Sequence, residues 1–177
     1  MLLLQTESRA NFISTIYSGP DVPLRYRYQT FEFGREDIHL RTLRDTQQYS
    51  DPAGEAHRLG ISAANWSLFG VVWDSSQILA RLMVDFEIDG KRILELGCGM
   101  ALSSLLLNRR GGDITATDYH PEAEAFLKNN TDLNEDADIP FFLANWADEV
   151  RFRPSWAATT LKRNWKWKAR WMYRVWT

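Results

Sequence analysis

The chain has 177 residues, of which 45% are hydrophobic and 25% are charged, as is typical of a globular protein with one substantial core. The three histidines, His39, His57 and His120, show no metal-ligand spacing, and one cysteine, Cys98, excludes an internal disulfide framework. MLLLQTES does not have the pattern of a secretory signal, and no segment is long enough to span a membrane, so we expect a cytoplasmic protein without a metal site.

The first half of the chain predicts a hairpin, a loop and a helix. Polar and apolar residues alternate from Arg25 to Phe33 and again after the turn signal GRED, which indicates a β-hairpin. The polar residues 45–60 predict a loop. In VVWDSSQILARLMVDF an apolar stripe predicts a helix, with Asp74 as its N-cap and Gln77 reaching back to it. The stripe consists of Ile78, Leu79, Leu82, Met83 and Phe86.

From residue 92 onward, strand and helix patterns alternate. The short strand RILEL leads through a glycine loop into the helix ALSSLLLNRR, which Gly111 and Gly112 end. The strand DITATD, a helix opened by Pro121 and the strand IPFFLANW follow. Strands and helices at this spacing indicate right-handed crossovers and a parallel sheet, so the predicted fold class is α/β.

The loop GCG, directly after the strand RILEL, carries the strongest functional signal. Gly97 allows a sharp turn, and Gly99 lets a ligand approach the backbone without a Cβ in the way. Glu95 would repel a pyrophosphate at the helix N-terminus, and Leu102 stands where a dinucleotide loop has its third glycine. S-adenosylmethionine, which carries a sulfonium, an ammonium and a ribose but no phosphate, fits this loop better.

Four segments resemble parts of the class I, Rossmann-like S-adenosylmethionine-dependent methyltransferases. ILELGCGMA resembles their motif I, with Ala101 in place of its third glycine. TATDYHPEAEAFLKNN resembles the next strand and its ribose-binding acid, which implies that role for Asp118, 23 residues after Glu95. FLANW implies that Trp146 lies near the adenine. GVVWDSSQILARLM resembles a helix of the protein-lysine branch, which implies that Trp73 lines the cofactor pocket.

The resemblance implies a methyltransferase whose acceptor is a protein lysine, with no catalytic residue assigned. It divides the chain into an extension with the hairpin (residues 1–60), a cofactor-binding Rossmann-like half (residues 61–150) and a tail (residues 151–177). Simpler alternatives stay open. The glycine loop can be a strand–turn–helix connection without a ligand, Asp118 a helix cap, and the two tryptophans core residues. The implied cofactor-binding residues are Trp73, Glu95, Gly97, Gly99, Asp118 and Trp146.

The tail differs sharply in composition from the rest of the chain. Residues 151–177 contain eight Lys and Arg, no Asp or Glu and five of the eight Trp, which leaves residues 1–150 with a net charge of −10. The acid- and tyrosine-bearing fourth strand of the resembling family is missing here. We favour truncation: unrelated sequence replaces the second half of the fold, RILEL becomes an edge strand through which the chain self-associates, and turnover is low or lost. RWMYRVW alternates well enough to add a strand beside RILEL, but the eight positive charges of the tail argue against a stable buried fit.

A functional tail is the other interpretation. Basic residues interleaved with four tryptophans have the composition that contacts the phosphates and bases of nucleic acid, or an anionic membrane surface. These tryptophans are Trp165, Trp167, Trp171 and Trp176. The chain would then be a nucleic-acid-binding protein. A third possibility is a cofactor-binding remnant without turnover.

Overall fold

The computed structural model describes residues 24–45, 48, 51, 53–66, 68–144 and 173–176. These residues form a two-stranded antiparallel hairpin, β1–β2, and a four-stranded sheet in the order β5-β4-β3-β6, in which β3, β4 and β5 are parallel. This arrangement, with helices between the parallel strands, confirms the predicted α/β class: an incomplete Rossmann-like sheet preceded by a hairpin. The elements are β1 (Tyr26–Phe33), β2 (Glu36–Leu43), α1 (Glu55–Arg58), α2 (Ala63–Trp66), α3 (Asp74–Met83), β3 (Arg92–Leu96), α4 (Leu102–Arg109), β4 (Asp113–Asp118), α5 (Ala123–Leu133), β5 (Phe141–Leu143) and β6 (Tyr173–Trp176).

Strands β3 and β4 form the buried centre of the larger sheet. Ile93, Leu94 and Glu95 of β3 are buried, as are residues 114–117 of β4, so helices or loops cover both faces. Because the two strands are parallel, they end at the same edge of the sheet, where Leu96 lies opposite Thr117. We call this side, with the residues that directly follow β3 and β4, the carboxyl edge. Ligand sites of open α/β sheets lie at this edge.

Helix α4 is the most deeply buried helix that the structure describes. All of its residues from Leu102 to Leu107 are buried. The predicted glycine stop is confirmed: Gly111 has a φ of 80° and donates its N–H to Asn108, and Gly112 donates to Leu107. The apolar run thus forms the centre of one core, which the buried residues of the hairpin share.

Two asparagines, Asn130 in α5 and Asn134 directly after it, attach the hairpin to the rest of the molecule. The side-chain oxygen of Asn130 accepts a hydrogen bond from the Arg41 N–H at 2.7 Å. Asn134 accepts from the His39 N–H at 2.9 Å and donates to the His39 carbonyl at 2.7 Å. The free edge of β2 therefore receives from side chains the hydrogen bonds that a third strand would otherwise supply.

One prediction about the larger sheet is wrong: β3 is not an edge strand. The segment Tyr173–Trp176 pairs with it in antiparallel orientation, with Arg92 opposite Trp176 and Glu95 opposite Tyr173. The expectation rested on the positive side chains of the tail, but strand pairing is made by backbone groups. The backbone N–H and C=O groups on this side of β3 form a template with which an extended segment of the chain can pair, and β6 is that segment.

Two local predictions also need correction. Asp74 is the first residue of α3 and not its cap, since Trp73 occupies the N-cap position and no side chain bonds there. The predicted apolar stripe is only partly buried, with Met83 inside and Ile78 and Leu82 about 60% exposed. Residues 45–60, predicted as a loop, contain the four-residue helix α1, which is too short to give a periodic pattern.

Gly70 should be irreplaceable because it carries two constraints. Its φ is 87°, and a Cβ there would lie 2.4 Å from Leu43 Cδ1 and 3.1 Å from Leu43 Cβ. We expect Gly70→Ala to lower the free energy of unfolding by about 2–4 kcal/mol, the sum of left-handed strain and overpacking. Gly34→Ala is the matched control, because its φ is 68° but no atom lies within 4 Å. A loss near 1 kcal/mol is expected for it, and equal losses in urea titrations of both variants would contradict the packing argument.

Candidate cofactor site

The glycine loop, residues 97–101, turns the chain from β3 into α4 at the carboxyl edge. Gly97, Gly99 and Ala101 all have positive φ, of 67°, 53° and 57°, so the turn alternates left-handed residues with ordinary ones. Ala101 takes this conformation although it has a Cβ, and it is fully buried at the N-cap of α4. A Cβ added at Gly99 would have no neighbour within 4 Å. The space beside Gly99 is therefore open for a ligand.

The structure brings Asp118, the last residue of β4, into direct contact with this loop. Its Oδ2 accepts a hydrogen bond from the Gly99 N–H at 2.8 Å, and its Oδ1 accepts from the His120 N–H at 2.8 Å. The alternative role of Asp118 as a cap of α5 is not observed, since Glu122 is the N-cap and the cap has no side-chain hydrogen bond. The structure thus places the glycine loop against the strand end that carries Asp118.

Glu95 points from β3 into the first turn of α4. Only 3% of its surface is exposed, and its Oε2 accepts from the Ser104 N–H at 3.1 Å and from the Ser104 hydroxyl. A carboxylate at a helix N-terminus satisfies a backbone donor and is favoured by the helix dipole. Glu95 therefore satisfies a donor in the first turn of α4, the end of a helix at which a dinucleotide-binding loop holds phosphate.

The Cys98 thiol lies between these two acids and responds to both. It is buried, and burial raises its pKa well above the ordinary value, with further increases from the carboxylates of Glu95 and Asp118. The thiol stays protonated and is a poor nucleophile. The carboxylates of Glu95 and Asp118 both lie beside the loop, an arrangement that favours a cation.

The two tryptophans implied by the resemblance have different outcomes. Trp73 lies at the start of α3, is 49% exposed and donates its indole N–H to the Leu68 carbonyl at 3.1 Å. It is therefore not a core residue, although no described contact joins it to the glycine loop. Trp146 lies outside the described residues. Its role as an adenine contact stays a prediction.

Two further residues at the carboxyl edge were not among the implied cofactor-binding residues. Tyr119 donates its hydroxyl hydrogen to the carbonyl of Leu59, in the segment after α1. The His120 ring stacks on Phe69, with ring centroids 3.7 Å apart and planes 3° from parallel. In the sequence, only their position directly after Asp118 indicated that Tyr119 and His120 lie near the site. Their contact partners are 60 and 51 residues away, so these contacts leave no local sequence pattern.

His120 is held as a neutral imidazole. Burial lowers its pKa from 6.5 to about 4, although the carboxylates of Asp118 and Asp51 oppose this shift. Its Nδ1 lies 3.3 Å from the Glu122 N–H and accepts from it, which requires that nitrogen to be unprotonated. The stacked ring is thus a neutral packing surface beside the candidate site.

Neither metal chemistry nor a membrane span is indicated in the described part of the chain. Its His, Cys, Asp and Glu side chains form no group of three or more that could hold a metal ion. Among the same residues, no helix is long and apolar enough to cross a bilayer.

Comparison with known proteins identifies the class. Residues 57–155 match a family model described as lysine methyltransferase. Protein N-lysine methyltransferase METTL21A of Danio rerio is 35% identical over 83 residues, 44% of this chain and 37% of that protein. EEF1A lysine methyltransferase 3 of Mus musculus is 34% identical over 108 residues, 56% of this chain and 46% of that protein. An uncharacterized RNA methyltransferase of Protochlamydia amoebophila, pc0248, is 36% identical over 55 residues, 31% of this chain and 13% of that protein.

Fold, glycine loop and strand-end acid together are those of a class I, Rossmann-like methyltransferase. Within that class, the chain belongs to the lysine methyltransferase family, the protein-lysine branch. Membership implies S-adenosylmethionine as the methyl donor. The chain spans less than half the length of the curated relatives it matches.

His120 should make the fold sensitive to acid. Between pH 6.5 and 4 the unfolded chain binds a proton that the folded chain does not, so the free energy of unfolding falls as the pH decreases through this window. We expect the His120 contribution to reach at most about 3 kcal/mol at pH 4. His120→Phe, which keeps an aromatic ring against Phe69, should show a smaller loss in urea titrations across this range. His39→Asn, at an exposed histidine, is the control, and parallel losses in wild type and His120→Phe would contradict the assignment.

Proposed function

We propose that the protein is an S-adenosylmethionine-dependent methyltransferase that acts on the side-chain amine of a protein lysine. One observation carries the proposal: in a chain of the lysine methyltransferase family, the Gly99 N–H lies 2.8 Å from Asp118 at the carboxyl edge of a parallel sheet. This arrangement supports a site in which loop and strand end hold one ligand together. The proposed cofactor-binding residues are Trp73, Glu95, Gly97, Gly99, Asp118 and Trp146.

The residues present fit the cofactor. Asp118 already accepts two backbone hydrogen bonds, but a carboxylate has about four lone-pair sites, so it retains capacity for the two ribose hydroxyls. The open space beside Gly99 allows the ligand to approach the backbone closely.

Charge supports S-adenosylmethionine over a dinucleotide. Glu95 takes the Ser104 N–H in the first turn of α4, and the carboxylates of Glu95 and Asp118 both act on the Cys98 thiol. A pyrophosphate at this helix N-terminus would meet a buried carboxylate at short range. A sulfonium or an ammonium would be attracted to the same place.

In methyl transfer the protein mainly aligns the methyl donor with the acceptor amine. When bound, the cofactor supplies a methyl group on a sulfonium, a good leaving group that an unprotonated amine displaces. The residues of this chain bind and orient the donor and exclude water from it. A lysine ammonium must first lose its proton, which burial in an apolar acceptor site favours. We assign no described residue to that proton transfer.

We also propose a cytoplasmic location. The single cysteine of the sequence, Cys98, is a buried free thiol, so the fold makes no use of an oxidising compartment. Fractionation of cells that express the tagged chain would test this.

Asp118→Ala should weaken binding of S-adenosylhomocysteine, the demethylated product of the cofactor. The loss of hydrogen bonds from a carboxylate is expected to cost about 1–3 kcal/mol, or roughly 5- to 150-fold in the dissociation constant. Isothermal titration calorimetry measures it. Asp113→Ala is the matched control, because Asp113 is exposed at the opposite end of the same strand. Unchanged affinity in a folded Asp118→Ala protein would contradict the role of this residue.

Ligand choice gives an independent prediction. S-adenosylhomocysteine should bind and NAD should not, because Glu95 occupies the helix N-terminus that a pyrophosphate needs. Calorimetry with each ligand at equal concentration makes the comparison. Comparable binding of NAD would favour a dehydrogenase-like site instead, and binding of S-adenosylhomocysteine without methyl transfer to lysine-bearing peptides would limit the proposal to cofactor binding.

A further inference from the structure

Two consecutive residues after Asp118 each contact a part of the chain about 50 to 60 residues earlier. Tyr119 bonds to the Leu59 carbonyl, and His120 stacks on Phe69. We call residues 53–66, which contain α1 and α2, the strap. The strap is thus fastened through Leu59 to the strand end that carries the candidate ribose-binding acid.

The strap is weakly organised by itself. Its two helices have four residues each, too few for stability in isolation. Among the strap residues whose burial the structure describes, only Ala56 is fully buried, whereas Arg58 and most of its neighbours are exposed. The Asp51 carboxylate, which accepts from the His57 N–H at 2.8 Å, supports it from the preceding residues. A segment with so little buried surface depends on the contacts that fasten it.

Electrostatics indicate that the strap lies close to the carboxyl edge. The pKa of Glu122, at the start of α5, is raised by burial and then by the carboxylates of Glu55 and Asp51. The Asp51 carboxylate also acts on His120. The charges of Glu55 in the strap and of Asp51, two residues before it, therefore act on side chains two and four residues after Asp118.

We propose that the strap is a wall of the cofactor site and that Tyr119 is a positioning residue that holds it there. This inference rests on the proposed function, because the ligand is the one that Asp118 would bind. A ligand on Asp118 fixes the end of β4 and with it the Tyr119 hydroxyl, so ligand binding and fastening of the strap stabilise each other. Such coupling is reciprocal. Loss of the hydrogen bond between Tyr119 and Leu59 lowers the affinity for the ligand by the same factor by which the bound ligand favours attachment of the strap.

Tyr119→Phe tests the coupling, because it removes only the hydroxyl. In the whole chain we expect S-adenosylhomocysteine to bind about 3- to 10-fold more weakly, the range for one lost neutral hydrogen bond. Tyr28→Phe is the matched control, since Tyr28 is 65% exposed on the hairpin. It should leave the affinity unchanged.

Trypsin provides a readout that a general loss of stability would not reproduce. Arg58 lies inside the strap with 65% of its side chain exposed, and Arg35 lies in the exposed turn between β1 and β2. S-adenosylhomocysteine should slow cleavage after Arg58 in the wild type but less so in Tyr119→Phe. Cleavage after Arg35 should be unaffected by the ligand in both.

The outcomes separate the two proposals. Failure of the wild type to bind S-adenosylhomocysteine would overturn the proposed function. Binding that is equally tight in Tyr119→Phe, or cleavage after Arg58 that the ligand never slows, would overturn the role of the strap and leave cofactor binding intact. If urea titration shows Tyr119→Phe to be unfolded, the wild type decides alone: the role of the strap requires that S-adenosylhomocysteine slows cleavage after Arg58 and leaves cleavage after Arg35 unchanged.

Discussion

The buried contact between Glu95 and Ser104 is the constraint around which the rest of the site is arranged. A carboxylate with 3% exposure is tolerable in a core only when its oxygens are hydrogen-bonded, and the first turn of α4 offers unused N–H donors. The contact ties the end of β3 to the start of α4 and so fixes the length and path of the loop between them. The same contact puts a negative charge where related folds hold phosphate, which sets the kind of ligand the loop accepts.

Side chains near the ends of α4 and α5 join the separate elements into one core. Arg109 forms an ion pair with Asp136 at 3.1 Å and donates to the carbonyls of Asn134 and Asp37. Arg110 donates to the carbonyls of Met83 and Phe86, and so satisfies groups at the end of α3 that the helix leaves unpaired. The hairpin, α3 and α5 are therefore all anchored to the helix that follows the glycine loop.

The elements that could be predicted from sequence are those whose signal is local. Alternation specified β1 and β2, and the succession of buried strand, glycines and apolar helix specified β3, α4 and β4. Residue type and spacing single out Gly99 and Asp118 in the sequence, and their roles in cofactor binding stay a prediction. Contacts such as Tyr119 with Leu59, or Asn134 with His39, join ordinary residues 60 and 95 positions apart, so only the folded chain reveals them. The pairing of β6 was judged unfavourable from the positive charges of the tail, but backbone groups, which every residue has, determine it.

The position of β6 has a consequence for the order in which the sheet assembles. Strand β3 meets β4 across roughly 20 residues of chain, whereas its β6 partner comes about 80 residues later, and the entropy of closing a loop increases with its length. Contacts over short separations form first in most small domains. The two edges of β3 thus pair at different stages of folding. The edge facing β4 pairs when the α4 crossover forms, whereas the other edge stays exposed to solvent and to other chains until β6 pairs with it.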